Sequence, residues 1–276
     1  MRLKYYGTAA AEGWPALFCA CPACEEARRR GGRNIRTRAQ ACIDDTLLID
    51  FGPDTYLHTI YSGLRLDQIR TCLITHSHED HLCRDEIGYR AHDFAARVLP
   101  GRFLFYGSRT VCDVLAATPQ WARDPERIGF EELPPYETRT IEGYLVTPLL
   151  AAHGIGETPP IVCYIYAIEK DGKRILYAHD TGFFPDATWE WLRNRPFDLV
   201  SMDCTTQRIR EGRNHMGFEN VVEVKKKLEE IGCSKPGTRW IINHFSHNGG
   251  VLHEEMSERM APYGIEPSWD SMEIRL

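Results

Sequence analysis

The chain has 276 residues, 43% of them hydrophobic and 26% charged, with a formal charge of −6 at pH 7. That is enough chain to bury a sizeable core, and no apolar run approaches the roughly 18 residues of a membrane span. The acidic balance argues against nucleic acid, or any long polyanion, as the source of affinity.

MRLKYYGTAA at the start has no secretory h-region, so a cytoplasmic location is expected. Residues 2–7 read as the first strand. CACPAC then places Cys19, Cys21 and Cys24 within six of the chain's residues. In a reducing compartment such crowding points to metal rather than to disulfides. The other seven cysteines are scattered through apolar runs and read as small buried hydrophobes. RRRGGRNIRTR (28–38) carries six arginines, for which a solvated loop is the expectation over a phosphate-binding patch. Strands follow at 41–52, 71–75 and 102–107, with helices at about 84–96 and 108–117. Further strands are expected at 143–150, 161–168, 174–180, 197–203 and 239–245, with a hairpin turn at Asp171-Gly172 between two of them. Helices at about 187–194, 217–231 and 253–261 complete the set. The clearest, 217–231, has an apolar stripe at Phe218, Val221, Val222, Val224 and Leu228, and Gly232 as its stop. With no repeat or linker in sight, one domain over 1–276 is expected, its sheets covered by helices in an α/β or α+β arrangement.

ITHSHEDHL (74–82) is the most informative stretch. A strand ends at Thr75, and His76, His78, Asp80 and His81 follow within six residues. Imidazole and carboxylate are the ligands of hydrolytic zinc, manganese or iron. Positions 76 and 78 of an extended segment project the same way, and a turn would bring Asp80 and His81 round to a second ion.

This H-x-H-x-D-H motif resembles the signature of the metallo-β-lactamase fold superfamily, an αββα sandwich of two facing mixed sheets covered by helices. The resemblance implies further ligands at later strand ends: His153 in TPLLAAHG, a bridging aspartate, Asp180, in ILYAHDTG, and His244 in NHFSHNGG. On that pattern His76, His78 and His153 hold one divalent cation (zinc or manganese), Asp80, His81 and His244 hold another, and Asp180 bridges them. His179, beside Asp180, is the rival.

Three thiolates are one short of the tetrahedral set of a structural zinc. With His244 given to the paired site, His247 is free to complete a Cys3His site with Cys19, Cys21 and Cys24, tying a knuckle at about 19–24 to the rim of the active site. GTAAAEGWPALFCACPAC, THSHEDH, MDC (202–204), GRNHMG (212–217) and DSMEIRL together resemble the phosphoribosyl 1,2-cyclic phosphate phosphodiesterase (PhnP-like) branch, over nearly the whole chain. The branch implies a structural zinc of this kind and a histidine beside the paired metals, here His215, which with Asp80 forms the catalytic pair. The PQQ-biosynthesis B protein also resembles the knuckle, but its family has a degraded metal motif and this one is intact. The chain departs from the branch in HLCRDEIGYRAHDF, which brings an extra His92, and in a glycine-poor GTAAAEG.

The implied activity is hydrolysis of a small cyclic or nucleotide-like phosphodiester by water held between two cations, with His215 as proton donor. A lactonase or thioesterase on the same fold, or an accessory protein like PQQ-biosynthesis B, is the alternative. A small-molecule substrate is expected and a membrane partner is not. The sequence leaves a homodimer open.

Overall fold

The computed structural model describes residues 1–119 and 124–276. One sheet contains β1 (Arg2–Gly7), β2 (Gln40–Ile43), β3 (Leu47–Ile49), β4 (Thr71–Leu73), β5 (Phe103–Gly107) and β6 (Ile128–Glu132). The other contains β7 (Arg139–Ile141), β8 (Tyr144–Leu150), β9 (Tyr164–Lys170), β10 (Lys173–Ala178), β11 (Leu199–Asp203), β12 (Arg239–Asn243) and β13 (Ile265–Pro267). The last strand, β14 (Glu273–Arg275), returns to the first sheet, giving the orders β14-β1-β2-β3-β4-β5-β6 and β13-β12-β11-β10-β9-β8-β7. Both sheets are mixed: β3 to β6 and β10 to β13 run parallel, and the remaining pairs are antiparallel.

Period-two alternation sorts the strand side chains into layers. In β10, Ile175 and Tyr177 join Leu3, Leu47 and Leu73 of the first sheet between the sheets, whereas Leu176 and Ala178 pack outward. The outward face of the second sheet is covered by α1 (Pro22–Arg30), α5 (Asp186–Leu192), α6 (Phe218–Glu230) and α7 (His253–Met260). Outside the first sheet lie α2 (Thr55–Tyr61), α3 (Arg84–Ile87) and α4 (Arg109–Ala116), with Leu64, Ile87, Val111 and Leu115 packed against Cys72, Phe103 and Phe105. The result is the αββα sandwich. Tyrosines stitch its two sheets: the Tyr5 hydroxyl donates to Ser201 Oγ at 2.7 Å and that of Tyr166 to the Ile74 carbonyl at 2.6 Å. Among the described residues no helix is long and apolar enough to cross a membrane.

Three expectations need correcting. The run 41–52 is two antiparallel strands, because Asp44 and Asp45 both take positive φ (50° and 54°) and form the tight turn of a hairpin. The helix at 84–96 stops after one turn at Ile87 and tightens into a 3-10 turn over Gly88–Arg90. Gly88 weakens it there, and the Arg90 guanidinium is drawn to the carbonyls of Arg127, Leu99 and Gly101. Residues 28–38 are not one solvated loop. Arg28, Arg29 and Arg30 close α1 against Glu25 and Glu26, while Arg36 is 3% exposed, lies over Phe245 and bonds Thr8 and the Ser268 carbonyl. The Asp171-Gly172 hairpin forms as expected, and of the seven scattered cysteines only Cys83 is half-exposed.

Candidate metal centre

His76 and His78 follow β4, His153 follows β8, Asp180 follows β10 and His244 follows β12. β8, β10 and β12 point the same way, so these strand ends reach one edge of the sandwich. Two of the residues leave their strands in the left-handed region, Asp180 at φ 49° and His244 at φ 63°. A side chain rarely adopts that backbone without a reason, and here it turns both inward. Gly52 answers a different need. A Cβ there would lie 2.0 Å from the Asp80 carbonyl oxygen, so only glycine lets the two loops close.

His76 Nε2 and His153 Nε2 lie 2.8 and 3.3 Å from His78 Nδ1. Alongside, Asp80, His81, Asp180 and His244 bring their ligand atoms within 4.8 Å of one another. Asp180 Oδ2 is 2.7 Å from His81 Nε2 and 3.6 Å from His76 Nε2, so it stands between the two groups. His179, the rival, turns away and is used up: Nε2 meets Ser201 Oγ at 2.7 Å and Nδ1 meets Asn243 at 3.2 Å.

Each ring is oriented from behind, as metal-ligating imidazoles are. Asp50 Oδ2 accepts from His81 Nδ1 at 2.8 Å, Thr205 Oγ1 meets His244 Nδ1 at 2.8 Å and the Asn214 carbonyl accepts from His153 Nδ1 at 3.1 Å. Glu157 Oε1 lies 2.8 Å from His78 Nε2, and Thr75 Oγ1 3.0 Å from His76 Nδ1. Sequence reasoning does not reach these supports. Asp50 in LLID and Asp203 in LVSMD did carry a usable signal, a carboxylate closing an apolar strand.

Burial disfavours ionisation of Asp80 and Asp180, yet the imidazoles around them hold both well below the usual carboxylate range. Burial keeps His76 and His153 neutral, the ligating form. It also works against His81 and His244, but carboxylates raise both, so loading a cation there would release protons. His81 Nε2, His244 Nε2 and Asp180 Oδ1 are buried and make no well-directed hydrogen bond, although charged neighbours lie close to them. Such orphans are costly unless something else satisfies them. With three imidazoles in one group and mixed imidazole and carboxylate in the other, the donor set fits a pair of divalent cations.

His215 stands beside the cluster, its ring centroid 4.8 Å from that of His153. Nδ1 lies 3.2 Å from Asp180 Oδ1 and 3.4 Å from Asp203 Oδ2. Burial pulls its pKa down, but those two carboxylates outweigh it and push it up to about 11. Asp203 also fixes the loop by accepting from Met216 N–H at 2.7 Å, and Glu211 accepts from His215 N–H at 2.7 Å. His92 is elsewhere, paired with Asp124.

Cys19, Cys21, Cys24 and His247 form a second cluster, their ligand atoms also within 4.8 Å. His247 Nδ1 is 3.7 Å from Cys19 Sγ and 3.5 Å from Cys21 Sγ. Burial opposes the Cys21 thiolate, but the His247 hydrogen bond prevails and the thiol falls to about 6. Three thiols and one imidazole suit structural zinc.

Residues 45–244 match the model of the β-lactamase superfamily domain. The chain belongs to that superfamily. No curated protein sequence matches it. Among solved structures, a diphosphatase from the PhnP family is similar over 100% of this chain and 97% of its own, at 21% identity and a TM-score of 0.76. Zinc-bound PqqB from Methylobacterium extorquens is similar over the whole of both chains, at 18% identity and a TM-score of 0.77. Human tRNase Z, short form, covers 100% of this chain and 99% of its own, at 16% identity and a TM-score of 0.65. These likenesses concern the fold.

Proposed function

We propose that this superfamily member is a metal-dependent phosphodiesterase of the PhnP-like branch, acting on a small phosphodiester. His76, His78 and His153 would hold one divalent cation, Asp80, His81 and His244 another, with Asp180 shared, while Cys19, Cys21, Cys24 and His247 would hold a structural zinc. The observation that carries this reading is that His81 Nε2, His244 Nε2 and Asp180 Oδ1 are buried within a cluster of ligand-type atoms and, though charged neighbours lie close, none makes a well-directed hydrogen bond.

The paired cations would supply Lewis acidity toward phosphoryl oxygens and a nucleophilic water near neutral pH. The chain's own residues do the rest. Asp50, Thr205, Glu157 and the Asn214 carbonyl hold the rings at fixed angles, so none reorganises during the reaction. The cleft over the site, about 370 Å³, has Ala10, Ala11, Glu12, Thr206, His215 and Asn248 among its lining, room for a compact alcohol portion. His215 is anchored through Nδ1, and Nε2 meets no hydrogen-bond partner among the described residues. From Nε2 it gives its proton to the departing alkoxide oxygen, help worth about 10² to 10⁴ in rate.

Likeness to a PhnP-family diphosphatase supports phosphate chemistry and makes a diphosphate the second substrate class. Likeness to zinc-bound PqqB keeps a second reading, an accessory protein like PQQ-biosynthesis B. Metal-reconstituted protein assayed on bis(p-nitrophenyl) phosphate, a diphosphate, a lactone and nitrocefin decides among them. Turnover of the diester, with about three metals per chain, is the expected result. A single metal and no turnover of any substrate would mean the accessory role.

A further inference from the structure

The two clusters are not independent. His244, a ligand of one, and His247, a ligand of the other, are three residues apart. Between them Ser246 gives its hydroxyl proton to Glu12 Oε1, and its carbonyl accepts from Gln207 Nε2 at 2.7 Å. Glu12 Oε1 also lies 3.7 Å from His247 Nε2, a charge contact too long for a hydrogen bond, on the ring nitrogen facing away from the thiols. The same carboxylate lines the cleft over the paired site. Its side chain is 29% exposed, and Oε2 meets no protein partner among the described residues. Glu12 is in turn fixed by the chain it sits in: Ala10 N–H bonds the Phe245 carbonyl at 3.0 Å, and Glu12's own carbonyl accepts from Leu17 N–H at 3.2 Å.

A carboxylate behind the free nitrogen of a metal-ligating imidazole sets the ring's tautomer and strengthens its hold on the metal. A carboxylate oxygen left open on a cleft wall accepts N–H or O–H donors and repels a second anionic group. We propose that Glu12 does both: it positions His247 for the knuckle, and it selects substrates whose alcohol portion carries hydroxyl or ammonium donors. This rests on the metal assignments proposed above but not on turnover. The knuckle thereby helps to set which substrates bind, through one side chain.

The test separates the two roles and uses binding, so that it survives a failure of the phosphodiesterase reading. Calorimetry on the metal-loaded protein compares phosphoethanolamine with ethyl phosphate, which differ in one ammonium group. The native protein should bind the former about fivefold more tightly, and Glu12→Gln should bring the ratio to about one. Zinc release from the knuckle to a chromogenic chelator should be about tenfold faster in Glu12→Ala and less accelerated in Glu12→Gln, whose amide oxygen still accepts from the Ser246 hydroxyl but carries no charge toward His247. Equal affinities in the native protein, a ratio that survives Glu12→Gln, or unaltered zinc release in Glu12→Ala would each overturn the proposal. Protein that shows both effects yet hydrolyses no diester would refute the phosphodiesterase reading alone.

Discussion

The two clusters are built in opposite ways. The proposed ligands of the paired site span residues 76 to 244 and stand near strand ends of both sheets, and each of their imidazoles is backed by a second polar group. In the knuckle three of four ligands lie within six residues, Cys19 and Cys21 are half-exposed, and Leu17 and Phe18 beside them project into solvent. The first geometry is set by the sandwich whether or not an ion is bound. In the second, Cys24 is anchored in the core beside Trp14 and Ala16, but the exposed turn that carries Cys19 and Cys21 buries little, and there the proposed zinc would do most of the holding.

That contrast is broken most severely by Asp180→Asn. Asp180 is 3% exposed and placed between the two ligand groups, so loss of its charge should empty at least one cation position and lower kcat/KM by about 10³ or more. The melting temperature should stay close to that of the metal-free native protein, because the fold holds this site. Metal analysis and calorimetric melting check both parts. A large fall in melting temperature would mean that the cations, not the sheets, organise the cluster.

His215→Ala should retain both cations and lose about 10² to 10⁴ in kcat, read from metal content and steady-state rates. If metal were lost together with activity, His215 would be a ligand, as its place beside Asp180, Asp203 and His244 allows.

Cys21→Ser falls on the other side of the comparison. It should cost one equivalent of zinc and several degrees of melting temperature, with the paired site still loaded. An unchanged zinc count would remove the Cys3His assignment.

How much of this could be read from the sequence follows from the same contrast. His76, His78, Asp80 and His81 were legible because strand alternation and one turn place them locally. Residues far from that motif, such as His153, Asp180 and His244, were legible through family resemblance, and the structure brings them to the same edge. Asp50 showed only its place at the end of an apolar run, and Glu157 and Glu12 showed nothing. Each acts through a partner 31, 79 or more than 230 positions away, and no periodicity encodes such a distance. The same limit hid Arg36, whose burial depends on Phe245 and Ser268. Strands β7, β13 and β14 escaped because three-residue runs such as Ile265–Pro267 are too short to show alternation, and β6 because IGFEE ends in two exposed glutamates.

The smallest expected effect probes the support behind the paired site. His58, buried on α2, donates from Nδ1 to Gln40 Oε1 (2.6 Å) and meets Thr37 Oγ1 through Nε2 (2.7 Å), and Gln40 Nε2 in turn donates to the Asp50 carbonyl at 2.9 Å. Asp50 fixes His81, so this chain of contacts is part of what pre-forms the site. Burial depresses the His58 pKa to about 4, against a weaker raising influence from Asp54. Between about 4 and 6.5 the unfolded chain therefore binds a proton that the folded chain refuses, and stability falls as pH falls through that window. Asp270 shares Thr37 and acts in the opposite sense, since burial pushes it up to about 6 and its contribution is lost as pH rises from about 4 to 6. Only a difference isolates the histidine. In urea unfolding of metal-free protein between pH 4.5 and 7, His58→Gln should flatten the rise of stability with pH by up to about 1.4 kcal/mol per unit relative to the native chain. Identical slopes would mean that His58 titrates alike in both states, and that the scaffold behind Asp50 is more open to water than its burial implies.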